Sequence, residues 1–140
     1  MPTTTLTLNL TSPIGTINPR VYGHFAEHLG RCCYGGLKPE AFVQGVETQH
    51  GFRMDVVNAL REMPVPLLRW PGGCYADHYH WRDGIGPLDQ RRITLGMSCG
   101  LQVEDDNTIG THEFMALCTM LGAEPYLAGN VGSGSVQELC

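Results

Sequence analysis

Basic residues are scarce: Lys and Arg together number nine in 140 residues, against fourteen Asp and Glu. A phosphate-binding face needs clustered cations, so nucleic acid is excluded as a partner. Long apolar runs are also missing. No stretch approaches the roughly 20 apolar residues that cross a bilayer, which excludes a membrane role. The opening Met1-Pro2-Thr3-Thr4-Thr5 has neither a basic start nor a continuous apolar core, so no signal peptide is expected and a cytoplasmic location follows. The six cysteines (32, 33, 74, 99, 118 and 140) show no CxxC spacing. Without a secretory signal they read as reduced thiols rather than bridges. Nucleophile and nucleotide motifs are absent as well. Gly132-Ser133-Gly134-Ser135 lacks the frame of a GxSxG elbow, and Gly72-Gly73 is too short to cradle a pyrophosphate. No cofactor is expected.

Hydrophobic residues make up 42% of the chain, aromatics 8% and charged residues 16%, a globular composition. The charged fraction is low for a small domain, and this suggests surface meant to be buried against further chain. Thr5–Leu10 alternates polar and apolar residues, the period of a strand with one wet face. Asn18-Pro19 is a turn, and Val21–Phe25 reads as a second strand. Gly30–Gly51 is read as a long loop. Met54, Val57, Leu60 and Met63 form one helical stripe, stopped by Pro64 and Pro66. Pro66–Trp70 follows as an apolar strand, closed by Pro71-Gly72-Gly73. A wet loop is expected from Cys74 to about Asn107. A second helix opens at Thr111 as N-cap, with Phe114, Leu117, Cys118 and Leu121 inward and Gly122 capping its end. Glu124–Ala128 is the next strand. Alternation of strand and helix is the signature of parallel βαβ units, an α/β fold. Such folds place their chemistry at the carboxyl ends of the strands. Ser135-Val136-Gln137-Glu138 matches a capping box with only Leu139 and Cys140 beyond, so the chain reads as part of a longer protein; a frayed tail on a complete small domain is the alternative.

His24-Phe25-Ala26-Glu27-His28 matches HxxEH, a zinc-peptidase pattern that needs a helix to aim both imidazoles at one metal. Gly23, Gly30 and the preceding strand pattern deny it that helix, so no metal site is expected. The polar residues at strand ends are more informative. Glu27 follows Val21–Phe25, Arg69 closes the next strand with Cys74 just beyond, and Asn130 closes the third. A carboxylate, a guanidinium and an amide on one rim, with Trp70, Tyr75, Tyr79 and Trp81 nearby, suit a polyhydroxylated ligand. Taken singly, Arg69 could be an ion-pair partner and Trp70 core.

These same residues carry a resemblance. Ile17–Arg31, Leu68-Arg69-Trp70-Pro71-Gly72-Gly73-Cys74, His80–Pro87, Gly110–Met115 and Gly129–Gly134 are similar, in order, to segments of the α-L-arabinofuranosidases of glycoside hydrolase family 51. The resemblance implies a (β/α)8 TIM barrel, with residues 17–140 supplying about three of its eight strands and residues 1–16 a strand of a β-sandwich. It implies retaining hydrolysis of terminal α-L-arabinofuranosyl residues from arabinan or arabinoxylan oligosaccharides, by a parent protein that is a homo-oligomer. Glu27 would bind sugar hydroxyls, Arg69 would support the catalytic carboxylates, Cys74 would line the subsite, and Asn130 stands at the same rim. The family's acid/base and nucleophile glutamates match no motif here, so no catalytic residue is assigned; Glu104, Asp105, Glu113, Glu124 and Glu138 do not fill the gap. This chain alone is therefore expected to be inactive. A tryptophan that many members carry after the second strand is replaced by Met97-Ser98-Cys99-Gly100. A non-catalytic carbohydrate-binding remnant and an HxxEH zinc peptidase remain as alternatives.

Overall fold

A computed structural model describes residues 2–40 and 45–140. Its elements, in order, are β1 (His24–Phe25), β2 (Thr48–Gln49), β3 (Phe52–Arg53), α1 (Met54–Glu62), β4 (Leu67–Trp70), β5 (Thr94–Ser98), β6 (Leu101–Asp105), α2 (Thr111–Leu121), β7 (Glu124–Leu127) and α3 (Val136–Leu139). Strand β4 lies between β1 and β7, and both pairings are parallel. One crossover carries α1 and the other α2, which is the βαβ arrangement expected from the alternation of patterns. Register sets Phe25, Arg69 and Tyr126 side by side on one face of the sheet. Side chains alternate along a strand, so Leu68 and Trp70 face the other way, and both are buried.

The helices explain that burial. In α1, Val57 is fully buried and Met54 and Leu60 pack against the same core. Met63 has left helical geometry, as expected of a residue before proline. In α2, Phe114, Leu117 and Cys118 are buried, and the Phe114 ring stacks on Trp70 at 5.3 Å. Tyr79 meets the same indole edge-on at 5.0 Å, giving Trp70 an aromatic contact on each side. Gly122 ends α2 at φ 69°, a left-handed conformation that glycine adopts without steric penalty, while Ala123 N–H donates to Cys118 O at 2.9 Å.

Several expectations are corrected. The residue at the N-cap of α2 is Gly110, not Thr111; Glu113 reaches back to accept from Gly110 N–H at 2.9 Å. Val21 and Tyr22 belong to a short 3-10 helix, Pro19–Tyr22, because the Asn18 side chain accepts from Arg20 N–H at 2.9 Å and proline fits the first helical position. Thr5–Leu10 finds no ladder partner among the described residues, and its three leucines are exposed. The segment between Gly30 and Gly51 is not loop throughout, since Thr48–Gln49 pairs antiparallel with Phe52–Arg53; residues 41–44 lie outside the described residues. The stretch from Cys74 to Asn107 is not a plain loop either. It holds the antiparallel hairpin β5–β6, with Thr94 opposite Asp105 and Ser98 opposite Leu101. At the start of α3, Ser135 is the N-cap but its side chain makes no capping bond: Glu138 N–H donates to Ser135 O at 3.0 Å, and the Glu138 carboxylate turns to His80 Nδ1 at 2.7 Å. Among the described residues no helix is long and apolar enough to cross a membrane.

Candidate functional site

The parallel strands β1, β4 and β7 direct their carboxyl ends to one edge. Glu27 lies just past β1, Arg69 is within the last turn of pleat of β4, Cys74 begins the 3-10 helix Cys74–Asp77, and Asn130 lies just past β7. All four therefore stand at a common rim, as the order of strands and loops predicted.

Glu27 is the best-positioned of them. It is buried, and its Oε1 accepts from Tyr75 N–H at 2.9 Å and from the Ser98 hydroxyl at 3.1 Å. The two glycines after β4 make this approach possible. A Cβ on Gly72 would sit 2.9 Å from Glu27 Cγ, and one on Gly73 would sit 3.2 Å from Glu27 Oε2. With Oε1 committed to the protein, Oε2 has no protein donor among the described residues. A fixed carboxylate with one uncommitted oxygen is an acceptor suited to a ligand hydroxyl.

Arg69 lies between two aromatic rings, with its guanidinium carbon 4.9 Å from the Phe25 centroid and 5.6 Å from that of Tyr126. Both rings face the same side because of the strand register. Its Nε is buried without a hydrogen-bond partner among the described residues. A guanidinium held by rings rather than by carboxylates keeps its donors available to an incoming oxygen. Asn130 is placed differently. Its Oδ1 accepts from the N–H groups of Gly132, Ser133 and Gly134 at 3.1, 2.9 and 2.9 Å, and its Nδ2 donates to Tyr79 O and Ser133 Oγ. It shapes the loop after β7 and has its polar atoms occupied in doing so.

The aromatic residues expected around the rim are largely elsewhere. Trp70, Tyr75 and Tyr79 are buried beneath it, because the strand alternation and the 3-10 helix turn them toward α2 and His28. Trp81 is partly exposed, but its indole N–H donates to Glu138 O at 2.6 Å and Arg82 covers its ring. The rings that flank the polar face are Phe25 and Tyr126.

Below the rim, Asp105 organises a network that the sequence did not reveal. Its side chain is fully buried and accepts from Tyr34 Oη at 2.5 Å, Tyr75 Oη at 2.8 Å and Asn107 N–H at 2.7 Å. Burial, with the Asp105 charge next, raises both phenols well above their ordinary range, so both stay protonated donors. His28 lies 3.5 Å from Asp105 Oδ2, stacked on Tyr75 at 4.5 Å, with neither ring nitrogen hydrogen-bonded among the described residues. Burial lowers its pKa despite the neighbouring carboxylates, so it is neutral. His24 is on strand β1 and His28 on the bend beyond, not on a helix. Among the described residues no three His, Cys, Asp or Glu side chains converge as metal ligands.

Three other carboxylates are bound elsewhere. Glu113 forms a two-pronged pair with Arg91 at 2.9 and 3.0 Å, Glu124 one with Arg20, and Glu138 binds His80. Ser98 and Cys99, which bring the hairpin to Glu27 and Cys74, were not singled out as site residues. The available signal was the two-residue Cys99-Gly100 turn, with φ of 50° and 80°.

The family described as alpha-L-arabinofuranosidase 1 domain matches residues 59–138. The chain is similar to the intracellular exo-alpha-L-arabinofuranosidase of Bacteroides ovatus, at 50% identity over 137 residues, covering 96% of this chain and 26% of that protein. It is similar to alpha-L-arabinofuranosidase C of Emericella nidulans, at 46% identity over 125 residues, covering 89% and 24%. The crystal structure of the GH51 arabinofuranosidase from Xanthomonas axonopodis pv. citri superposes with a TM-score of 0.84 at 44% identity, over 93% of this chain and 26% of that one. The chain thus spans about a quarter of the length of the curated relatives it matches. With a family match across more than half its length and this shared α/β framework, the chain belongs to the α-L-arabinofuranosidases of glycoside hydrolase family 51.

Proposed function

We propose that residues 17–140 supply three strands of a (β/α)8 barrel in a retaining α-L-arabinofuranosidase, and that the rim holds part of its arabinofuranose subsite. In this proposal residues 1–16 contribute a strand to an accompanying β-sandwich. The observation that carries the reading is Glu27: a buried carboxylate at the carboxyl end of β1, with Oε1 held by Tyr75 N–H and Ser98 Oγ and Oε2 uncommitted. Glu27 accepts from sugar hydroxyls, Arg69 donates along the polar face, and Cys74 lines the pocket. Asn130 holds the loop that edges it.

The reaction itself needs more than this rim. Retention uses two carboxyls about 5–5.5 Å apart, one attacking the anomeric carbon and one protonating the leaving oxygen. Glu27 serves neither role here, because its Oε1 is tied to the protein. It fixes the sugar so that the two reacting glutamates, supplied by other barrel strands, meet it in line. The substrate class is terminal α-L-arabinofuranosyl groups of arabinan or arabinoxylan oligosaccharides, in a homo-oligomeric parent.

The test is proton–nitrogen NMR of the chain titrated with methyl α-L-arabinofuranoside. Shifts are expected at Glu27, the Arg69 side chain and the amides of Gly72–Tyr75, and they should vanish in Glu27→Ala. Shifts confined to other surfaces, or unchanged in the variant, would refute the subsite.

A further inference from the structure

Cys74 and Cys99 are brought together by elements that are far apart in sequence. Cys99 Sγ lies 4.0 Å from Cys74 Sγ, with the Cys99 thiol donating, and both are free and exposed. Cys99 occupies the first position of the β5–β6 turn at φ 50°, a left-handed conformation where Asn or Gly is the usual occupant. A cysteine held there in an uncommon backbone geometry, aimed at a second thiol, calls for an explanation.

The two segments are fixed against one another on both sides of the sulfurs. A Cβ on Gly96 would lie 2.5 Å from Tyr75 Cε2, so β5 packs directly on the ring that follows Cys74. Tyr75 Oη is bound to Asp105 of β6, and Tyr75 N–H and Ser98 Oγ meet on the same Glu27 oxygen. Each cysteine is thus the chain neighbour of a group that donates to Glu27. Cys32 and Cys33 also share a side-chain hydrogen bond, which holds the Cys32 thiol down at about 6, but that pair is not built to close. Cys33 and Cys118 are buried, and Cys32 and Cys33 are adjacent, with Cα atoms about 3.8 Å apart, closer than the usual disulfide span.

We propose that Cys74 and Cys99 form a dithiol site for exchange with low-molecular-weight disulfides, closing a cystine that ties the hairpin tip to the rim. The bond that Cys99 donates raises its own pKa and leaves Cys74 as the acceptor, which marks Cys74 as the first nucleophile. The Cys74 thiolate attacks the small disulfide RSSR, forming Cys74–S–S–R and releasing RS⁻. Cys99 then loses its proton to solvent and attacks Cys74 Sγ, releasing the second RS⁻. Two protein thiols are oxidised and one disulfide is reduced to two thiols. The cystine removes the Cys74 thiol from the rim and fixes both donors of Glu27. That consequence for a sugar ligand rests on the proposed function, whereas the exchange chemistry does not.

The test equilibrates the 140-residue chain with mixtures of oxidised and reduced glutathione, followed by an acid quench, alkylation and mass mapping of non-reduced peptides. The expected result is a Cys74–Cys99 linkage about ten-fold or more above any other pairing, with Cys33 and Cys118 reduced. In Cys99→Ser, Cys74 should accumulate as the mixed disulfide with glutathione, because the resolving thiol is gone; Cys32→Ser and Cys140→Ser should leave the linkage unchanged. Pairings spread evenly over the six cysteines, or separate glutathione adducts on Cys74 and Cys99 without linkage, would overturn the proposal.

Discussion

Replacing Asp105 should loosen the hairpin that delivers Ser98 to Glu27. Its carboxylate receives three donors at 2.5–2.8 Å: Tyr34 Oη, Tyr75 Oη and Asn107 N–H. In Asp105→Ala each donor loses a buried acceptor at about 1–3 kcal/mol. The total, about 5 kcal/mol, reaches the lower end of a domain's whole stability. Asp105→Asn is gentler. The amide oxygen can keep Asn107 N–H and Tyr34, and the Tyr75 hydroxyl can rotate to accept from the amide nitrogen. What is lost is the charge assistance, about 2 kcal/mol. Urea unfolding followed by tryptophan fluorescence reads both. With a denaturant slope of about 2 kcal/mol per molar, Asp105→Asn should lower the midpoint by about 1 M and Asp105→Ala should leave little folded protein in buffer. An Asp105→Ala midpoint within about 0.3 M of the parent chain would show that the network does not anchor the hairpin.

Three further outcomes follow from the same structure. His28 is buried with a folded pKa below its unfolded value, so it stabilises above an unfolded pKa of about 6.5, and that stability is lost as pH falls toward the folded value. Urea midpoints should fall between pH 7 and 5, and His28→Gln should flatten that slope; a slope unchanged in the variant would assign it elsewhere. The Arg91–Glu113 pair is mostly buried, and Arg91 also binds Gly86 O and Asn107 O, so Glu113→Gln should cost about 3 kcal/mol, read as a melting temperature lower by roughly 10 °C. A shift under about 2 °C would count against a role in holding the 86–91 loop on α2. The chain alone should release no 4-nitrophenol from its α-L-arabinofuranoside; turnover that copurifies with it and disappears in Glu27→Ala would refute the need for glutamates from other strands.

Much of the framework was legible because its elements obey simple periods. The α1 stripe of Met54, Val57 and Leu60 and the apolar Leu67–Trp70 strand lie where the pattern put them. The β5–β6 hairpin escaped because its pattern is inverted. Gly96 and Ser98 point inward, against the Tyr75 ring and Glu27, while Leu95 and Met97 face out, at 64% and 39% exposed. A hydrophobic count assigns the wrong face to such a strand, and Cys-Gly at the turn hides the Asn-Gly signal that marks a hairpin. Thr5–Leu10 is unpaired among the described residues for a different reason. Its alternation suits a strand, but a strand needs a partner, and the period says nothing about where one is. At the rim, strand order alone located Glu27, Arg69, Cys74 and Asn130. Which polar atoms are already occupied depends on loop geometry, as the three amides on Asn130 Oδ1 show, and spacing does not encode that.

The central claim is that Glu27 holds the arabinofuranosyl group for chemistry done by glutamates elsewhere in the barrel. It is tested most directly in a chimera in which this chain replaces the matching quarter of the Bacteroides ovatus relative, 50% identical to it over 137 residues. The measurement is kcat/KM for 4-nitrophenyl α-L-arabinofuranoside, with circular dichroism confirming equal folding of both proteins. The intact chimera is expected to hydrolyse the substrate, and Glu27→Ala is expected to lower kcat/KM about 100-fold, or about 2.7 kcal/mol of transition-state binding. A folded Glu27→Ala chimera that retains kcat/KM within a few-fold of the intact one would contradict the claim.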